Sequence, residues 1–151
     1  MAATIRIQTQ GFDAAAETAS LTQGRADVGA VVAFTGLCRD EGGKLAALEL
    51  EHYPGMAEAE IARIAAQAES RWPLLGLTVI HRFGLIRPGE EIVLVLAASS
   101  HRRAAFEAAE FLMDYLKTRA PFWKREHLKD GTVGAWVEAK DLDDLAAERW
   151  A

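Results

Sequence analysis

Apolar and polar residues alternate over Thr4–Gln8, the period of a short half-buried strand. Gly11–Thr22 is alanine-rich, with Asp13 placed to cap a helix and Gly24 to close it. Val28–Thr35, VGAVVAFT, is apolar and β-prone throughout, which predicts a buried strand. It runs into GLCRDEGGK, a loop with glycines at 36, 42 and 43. Leu45–Tyr53 alternates again. Ala46, Leu48, Leu50 and His52 share one face, Ala47, Glu49, Glu51 and Tyr53 the other, and Pro54-Gly55 breaks the strand.

The period then lengthens. Ile61, Ile64, Ala65, Ala68 and Trp72 recur at helical spacing, so Met56–Arg71 is predicted as an amphipathic helix stopped by Pro73 and Gly76. Leu77–Leu85 and Glu91–Ala98 read as two strands joined by Arg87-Pro88-Gly89-Glu90, whose Pro-Gly pair suits a type II turn. The second is apolar throughout and should be central, covered on both faces. A serine at 99 or 100 can cap the helix that follows over Arg102–Thr118, with Ala105, Ala108, Ala109, Leu112, Met113 and Leu116 inward. Pro121 ends the helical region, and Phe122–His127 and Thr132–Ala139 read as a hairpin over Lys129-Asp130-Gly131. Leu142–Trp150 is a mostly charged tail with Leu142, Leu145 and Trp150 as sticky positions. This order of strands and helices gives an α+β fold, helices packed on sheet.

Composition narrows the class. The 151 residues, half of them hydrophobic, suit one domain, 1–151, with no linker, repeat or internal boundary. No apolar run spans a bilayer and no secretory leader is evident, so a cytoplasmic protein is expected. The one cysteine, Cys38, has no partner for a disulfide, and no Cys/His spacing suggests a metal site. Net charge is −5, which argues against non-specific duplex DNA binding.

Against that acidic background, Met113–Glu126 (MDYLKTRAPFWKRE) is a local reversal. It gathers Lys117, Arg119, Lys124 and Arg125 with Tyr115, Phe122 and Trp123. A basic corner on an acidic chain favours an anionic ligand or an acidic partner tail; cations at a helix C-terminus also simply complement the dipole. His101 and Arg102 lie where a central strand meets a helix N-terminus, an anion site by geometry and an unfavourable place for cations otherwise. Lys117, one turn after Met113, can lay its stem along an apolar wall and serve as nucleophile or acid/base; alone, a solvated helix-end lysine is the simpler reading. Lys124 alternates onto the same face as Phe122, and Arg39 lies in the glycine-bearing loop. Cys38 beside Arg39 invites an activated thiolate, although a small half-buried residue is simpler. His52 and His81 fall on apolar strand faces and read as core or interface histidines. No carboxylate pair, nucleophile elbow, P-loop or dinucleotide fingerprint is present.

The segments GAVVAFTGLCRD, LELEHYPGM, RWP, VIHRFG, PGE, SSHRRAAFEA, FLMDYLKTRAPFWKRE and WVEA, in this order, resemble the large catalytic subunit of molybdopterin synthase from Gly29 to Trp150. The resemblance implies an α/β hammerhead-type domain with an additional antiparallel β subdomain. It implies a sulfurtransferase that converts cyclic pyranopterin monophosphate to molybdopterin. Sulfur comes from the C-terminal thiocarboxylate of a small ubiquitin-like subunit whose tail threads into a pocket. The expected assembly is a central homodimer flanked by two small subunits, a heterotetramer, with no metal or other cofactor. By position, Lys117 and Lys124 are the catalytic lysines. Arg39, His101 and Arg102 bind the substrate phosphate, and Phe34 and Met113 line the pocket. Lys140 stands where the family often has an arginine reaching the neighbouring protomer; lysine keeps the charge and loses the planar fork. Two other readings remain open from the residues: a module for single-stranded nucleic acid using Tyr115, Phe122 and Trp123 as stacking platforms, and a silent dimeric scaffold that docks a ubiquitin-like protein.

Overall fold

The computed structural model describes residues 3–137 and 147–150. Seven strands and three α-helices occur among them: β1 (Thr4–Gln8), α1 (Ala14–Thr22), β2 (Ala30–Leu37), β3 (Leu45–His52), α2 (Met56–Arg71), β4 (Leu74–Arg82), β5 (Gly84–Ile86), β6 (Glu91–Ser99), α3 (Arg102–Thr118) and β7 (Phe122–Leu128). They form a four-stranded sheet, order β1-β4-β6-β2, and a three-stranded antiparallel sheet, order β5-β3-β7. The larger sheet is mixed: β1 runs parallel to β4, while β4–β6 and β6–β2 are antiparallel.

Strand β6 is central, as its unbroken apolar run requires. Val93, Val95 and Ala97 pack with Ile61 and Ile64 of α2 and Ala108, Phe111 and Leu112 of α3. Leu94 and Leu96 point the other way and meet Ala14 and Leu21 of α1. The stripe predicted for α2 is the buried one, with Trp72 only partly covered. The buried side of α3 is as expected except at three residues: Ala104 and Phe111 are also buried, and Met113 only partly. Asp13 caps α1 by accepting from the Ala16 amide at 3.1 Å, and Glu90 N–H donates to the Arg87 carbonyl with Gly89 at φ +87°, as a type II turn needs.

Several expectations are corrected. The VGAVVAFT strand is not buried but an edge: Phe34 and Leu37 remain 41% and 56% exposed. An apolar run alone does not separate a central strand from an edge whose face awaits other cover. The expected Leu77–Leu85 strand divides at Phe83, because Gly84 takes φ +88° and lets β5 leave for the second sheet and pair with β3. In β3 the ladder shifts register between Leu45 and Ala47, so Leu45, Ala47 and Leu50 are buried and a single even-numbered face does not hold. No serine caps α3. His101 is the N-cap and makes no side-chain cap bond, while the Ser99 hydroxyl donates to the Pro73 carbonyl at 2.9 Å. The described part of the expected 132–139 strand makes two isolated bridges to β7, His127↔Val133 and Lys124↔Val137. Residues 138–139, and Leu142 and Leu145 of the tail, lie outside the described residues.

Candidate active site

A pocket of about 80 Å³ opens on the helix-covered face of the large sheet, beside the last turns of α3. Its lining is Phe34, Gly36, Leu37, His81, Ile92, Val93, Met113, Leu116 and Lys117. Strand register explains the floor. Gly36 of β2 and His81 of β4 both lie opposite Val93 of β6, so the three form one row across the sheet. Gly36 keeps that row open: a Cβ there would lie 2.8 Å from Val93 Cγ1 and 3.4 Å from the Phe34 ring. The register shift between Gly36 and Leu37 bends the end of β2, and both residues line the same cavity despite being adjacent. Met113, Leu116 and Lys117 come from one face of α3 at the i, i+3, i+4 spacing.

The lining is apolar but for His81 and Lys117, and Lys117 is its one cation. His81 stacks on Phe122 at 3.8 Å between centroids and 16° between planes. Its Nδ1 lies 2.8 Å from the Arg82 carbonyl. Burial pushes the His81 pKa down to about 4; the Arg82 carbonyl opposes this, and the charges of Lys117 and His52 add to it. The ring is therefore neutral at physiological pH.

Three of the sequence-predicted residues, Phe34, Met113 and Lys117, thus meet in one pocket. Lys124 sits two residues past Phe122 on β7, opposite Leu50, and its backbone exchanges bonds of 3.1 and 2.7 Å with Val137. It is not in the pocket lining. Arg39 is exposed, two positions past the lining residue Leu37. His101 and Arg102 are exposed at the opposite end of α3 from Lys117. That helix has 17 residues, about 24 Å at 1.5 Å per residue, so a single phosphate cannot touch both ends. Lys140 lies outside the described residues. Two other cations of the basic corner are engaged within the chain. Arg125 donates to Glu49 at 2.8 Å and lies over the Trp136 ring, and Arg119 lies over Tyr115.

The reading of His81 as a core histidine holds but is incomplete. It does pack like a core histidine, but it also faces the cavity. The available signal was its parity with Leu77 and Val79, the residues of β4 that pack against α2 and α3. Cys38 is 3% exposed, and burial pushes its thiol pKa up, opposite to an activated thiolate. Among the described residues no cluster of histidine, cysteine and carboxylate side chains could hold a metal.

A family model described as MoaE protein matches residues 7–119, most of the chain. The chain belongs to the MoaE family. A molybdopterin synthase catalytic subunit from Mesorhizobium japonicum is 75% identical over 99% of this chain and 94% of its own length. Among solved structures, the molybdopterin biosynthesis MoaE protein from Burkholderia ambifaria superposes with a TM-score of 0.84 at 49% identity, covering 98% of this chain and 97% of that one. Molybdopterin synthase from Staphylococcus aureus gives a TM-score of 0.77 at 30% identity, covering 87% and 94%. The two-sheet architecture described above is therefore the MoaE fold, and the pocket at the end of α3 is part of a MoaE chain.

Proposed function

We propose that this chain is the catalytic subunit of a cytoplasmic molybdopterin synthase. It would convert cyclic pyranopterin monophosphate to molybdopterin with sulfur from the C-terminal thiocarboxylate of a small ubiquitin-like subunit. The observation that carries the proposal is Lys117, the single cation in a lining that is apolar apart from the neutral His81 at the end of α3. An anionic chain end entering such a pocket leaves water and meets one positive charge, where an electrostatic contact is stronger than at the surface. Once the thiocarboxylate sulfur has bonded to the pterin carbon, the ammonium can polarise the acyl carbonyl while water adds to it, so that the acyl–sulfur bond breaks, the tail leaves as a carboxylate and the sulfur stays on the pterin.

The pterin phosphate needs separate cations. Arg39, at the mouth of the β2 loop, and Lys124, next to the Phe122 stack, are the near candidates. His101 and Arg102 are a helix length away from Lys117, which favours a homodimer in which one copy offers its α3 N-terminus to the other copy's pocket. Lys140 would serve the same phosphate from the neighbouring chain. The exposed Phe34 and Leu37 on edge strand β2 are the kind of surface that such an assembly covers.

The nucleic-acid reading loses its platforms. Phe122 is stacked on His81, Trp123 packs edge-on against Tyr53 at 5.4 Å, and Tyr115 packs on Phe111 at 4.8 Å. The decisive experiment mixes the purified chain with thiocarboxylated small subunit and cyclic pyranopterin monophosphate. Dithiolene product is expected, and its absence beside an active reference synthase refutes the proposal.

A further inference from the structure

The pocket holds one polar side chain besides Lys117, and its ring is fixed from two sides. Phe122 stacks on one face of His81. At the edge, Nδ1 lies 2.8 Å from the Arg82 carbonyl; a carbonyl only accepts, so Nδ1 carries the proton and Nε2 keeps the lone pair. That carbonyl is itself anchored. Arg82 is buried, and its guanidinium donates to the carbonyls of Thr9 and Glu91 at 2.9–3.1 Å. The tautomer is thus set by the backbone, and Nε2 is the polar atom that His81 can offer to the cavity.

We infer that His81 is a positioning residue for Lys117: its Nε2 lone pair accepts a hydrogen bond from the ammonium and holds it turned into the pocket when an anionic chain end is bound. The inference rests on the role proposed above for Lys117. An ammonium carries three donors, and in an apolar pocket each unmet donor is costly. The bound anion satisfies some of them. The remaining lining side chains are hydrocarbon apart from the weakly accepting Met113 sulfur, so His81 is the one good acceptor. A carboxylate in its place would neutralise Lys117 and weaken its pull on an anion. A neutral imidazole orients the charge and leaves it intact.

The test uses the complex with thiocarboxylated small subunit, followed through a single turnover at saturating pterin. His81→Phe keeps a ring to stack on Phe122 and removes the acceptor; His81→Gln returns an acceptor near the Nε2 position. The expected result is a turnover rate lower by at least about tenfold in His81→Phe, with affinity for the small subunit unchanged, and recovery of most of that loss in His81→Gln. Nitrogen-15 spectra of the wild-type complex should show His81 protonated at Nδ1, with an Nε2 signal that moves when Lys117 is replaced by Met. Wild-type turnover in His81→Phe, equal losses in both variants, or an Nε2 signal indifferent to Lys117→Met would each overturn the inference. If His81→Phe does not fold, the spectra of the wild-type and Lys117→Met chains decide alone. An inactive wild-type chain would count against the synthase proposal instead, and the spectra would still report on the contact.

Discussion

Arg125 reaches across the β3–β7 ladder to Glu49, Nε to Oε1 at 2.8 Å, and His127 Nε2 lies at the same distance from the same oxygen. Bonds from His127 and then Arg125 hold the Glu49 carboxyl below its ordinary pKa. A pKa lowered by folding adds stability that is complete above the unfolded value, near 4.5, and is lost as pH falls through the folded value. The pair is part-exposed, so its coupling is about 0.5–1 kcal/mol. Glu49→Gln should therefore lower Tm at pH 7, and the difference should shrink as pH falls below 4.5. A Tm difference that persists undiminished at pH 3 would refute this account.

That ion pair also explains how far the basic corner could be read from sequence. Arg125 and Lys124 are neighbours of like charge, and only the register of β7 against β3 reveals that Arg125 faces Glu49, 76 residues earlier. Helix α2 is legible to the residue because its stripe repeats at one period over four turns, and α3 because its stripe repeats likewise and Pro121 follows its end, although the serine expected to cap its start does not. Family resemblance singles out Phe34, Met113 and Lys117, which share one pocket, and strand register supplies what resemblance lacks: the Gly36–Val93–His81 row. What stayed hidden were features set by non-local pairing, such as the edge position of β2, the departure of β5 at Gly84 and the bulge in β3. Local hydrophobic pattern carries no information on which strand lies next to which.

Cys38 offers a check on the second core. Its Sγ lies 3.7 Å from the Ile86 carbonyl among Leu45, Leu50 and Ile86. Burial raises the thiol pKa, and the charges of Glu90 and Asp40 raise it further, so the thiolate is scarcer than in a free cysteine. Iodoacetamide at pH 8 should modify the folded chain on the order of a hundredfold more slowly than the urea-unfolded chain. Labelling at equal rates, read by mass spectrometry, would show that Cys38 is accessible and this core open.

Gly29 controls the approach to α3. Its amide donates to the Ser99 carbonyl at 3.0 Å, and a Cβ on it would come within 2.0 Å of the Ser100 carbonyl oxygen. Backbone cannot rotate away as a side chain can, so Gly29→Ala should cost about 2 kcal/mol or more, roughly 5 °C in Tm. Gly76 is the comparison. Its added Cβ would meet Leu21 Cδ1 at 2.5 Å and Cγ at 2.8 Å, side-chain atoms that can shift where a backbone carbonyl cannot. Gly76→Ala should be the milder variant, and the reverse order of melting temperatures would contradict the close backbone approach of Gly29 to Ser100.

Lys117 separates a synthase from a scaffold. Lys117→Ala removes the only cation of the pocket lining and leaves Met113 and Leu116, the apolar neighbours on the same face of α3. Product formation should fall about 10²–10³-fold, the scale seen when one preorganised electrostatic contact to a reacting group is deleted. Complex formation with the small subunit, followed by gel filtration, should survive, because a tail held in the pocket has backbone and apolar contacts besides the charge. Lys117→Arg should recover little, since a planar guanidinium is larger than the ammonium it replaces in a cavity of about 80 Å³. Arg119→Ala is the control: its guanidinium lies over Tyr115, 5.9 Å from the ring centroid, outside the lining. Its loss should leave turnover within about threefold. Were Lys117→Ala and Arg119→Ala equally active, the positive charge at the end of α3 would have no part in the chemistry, and the chain would be better read as a docking scaffold.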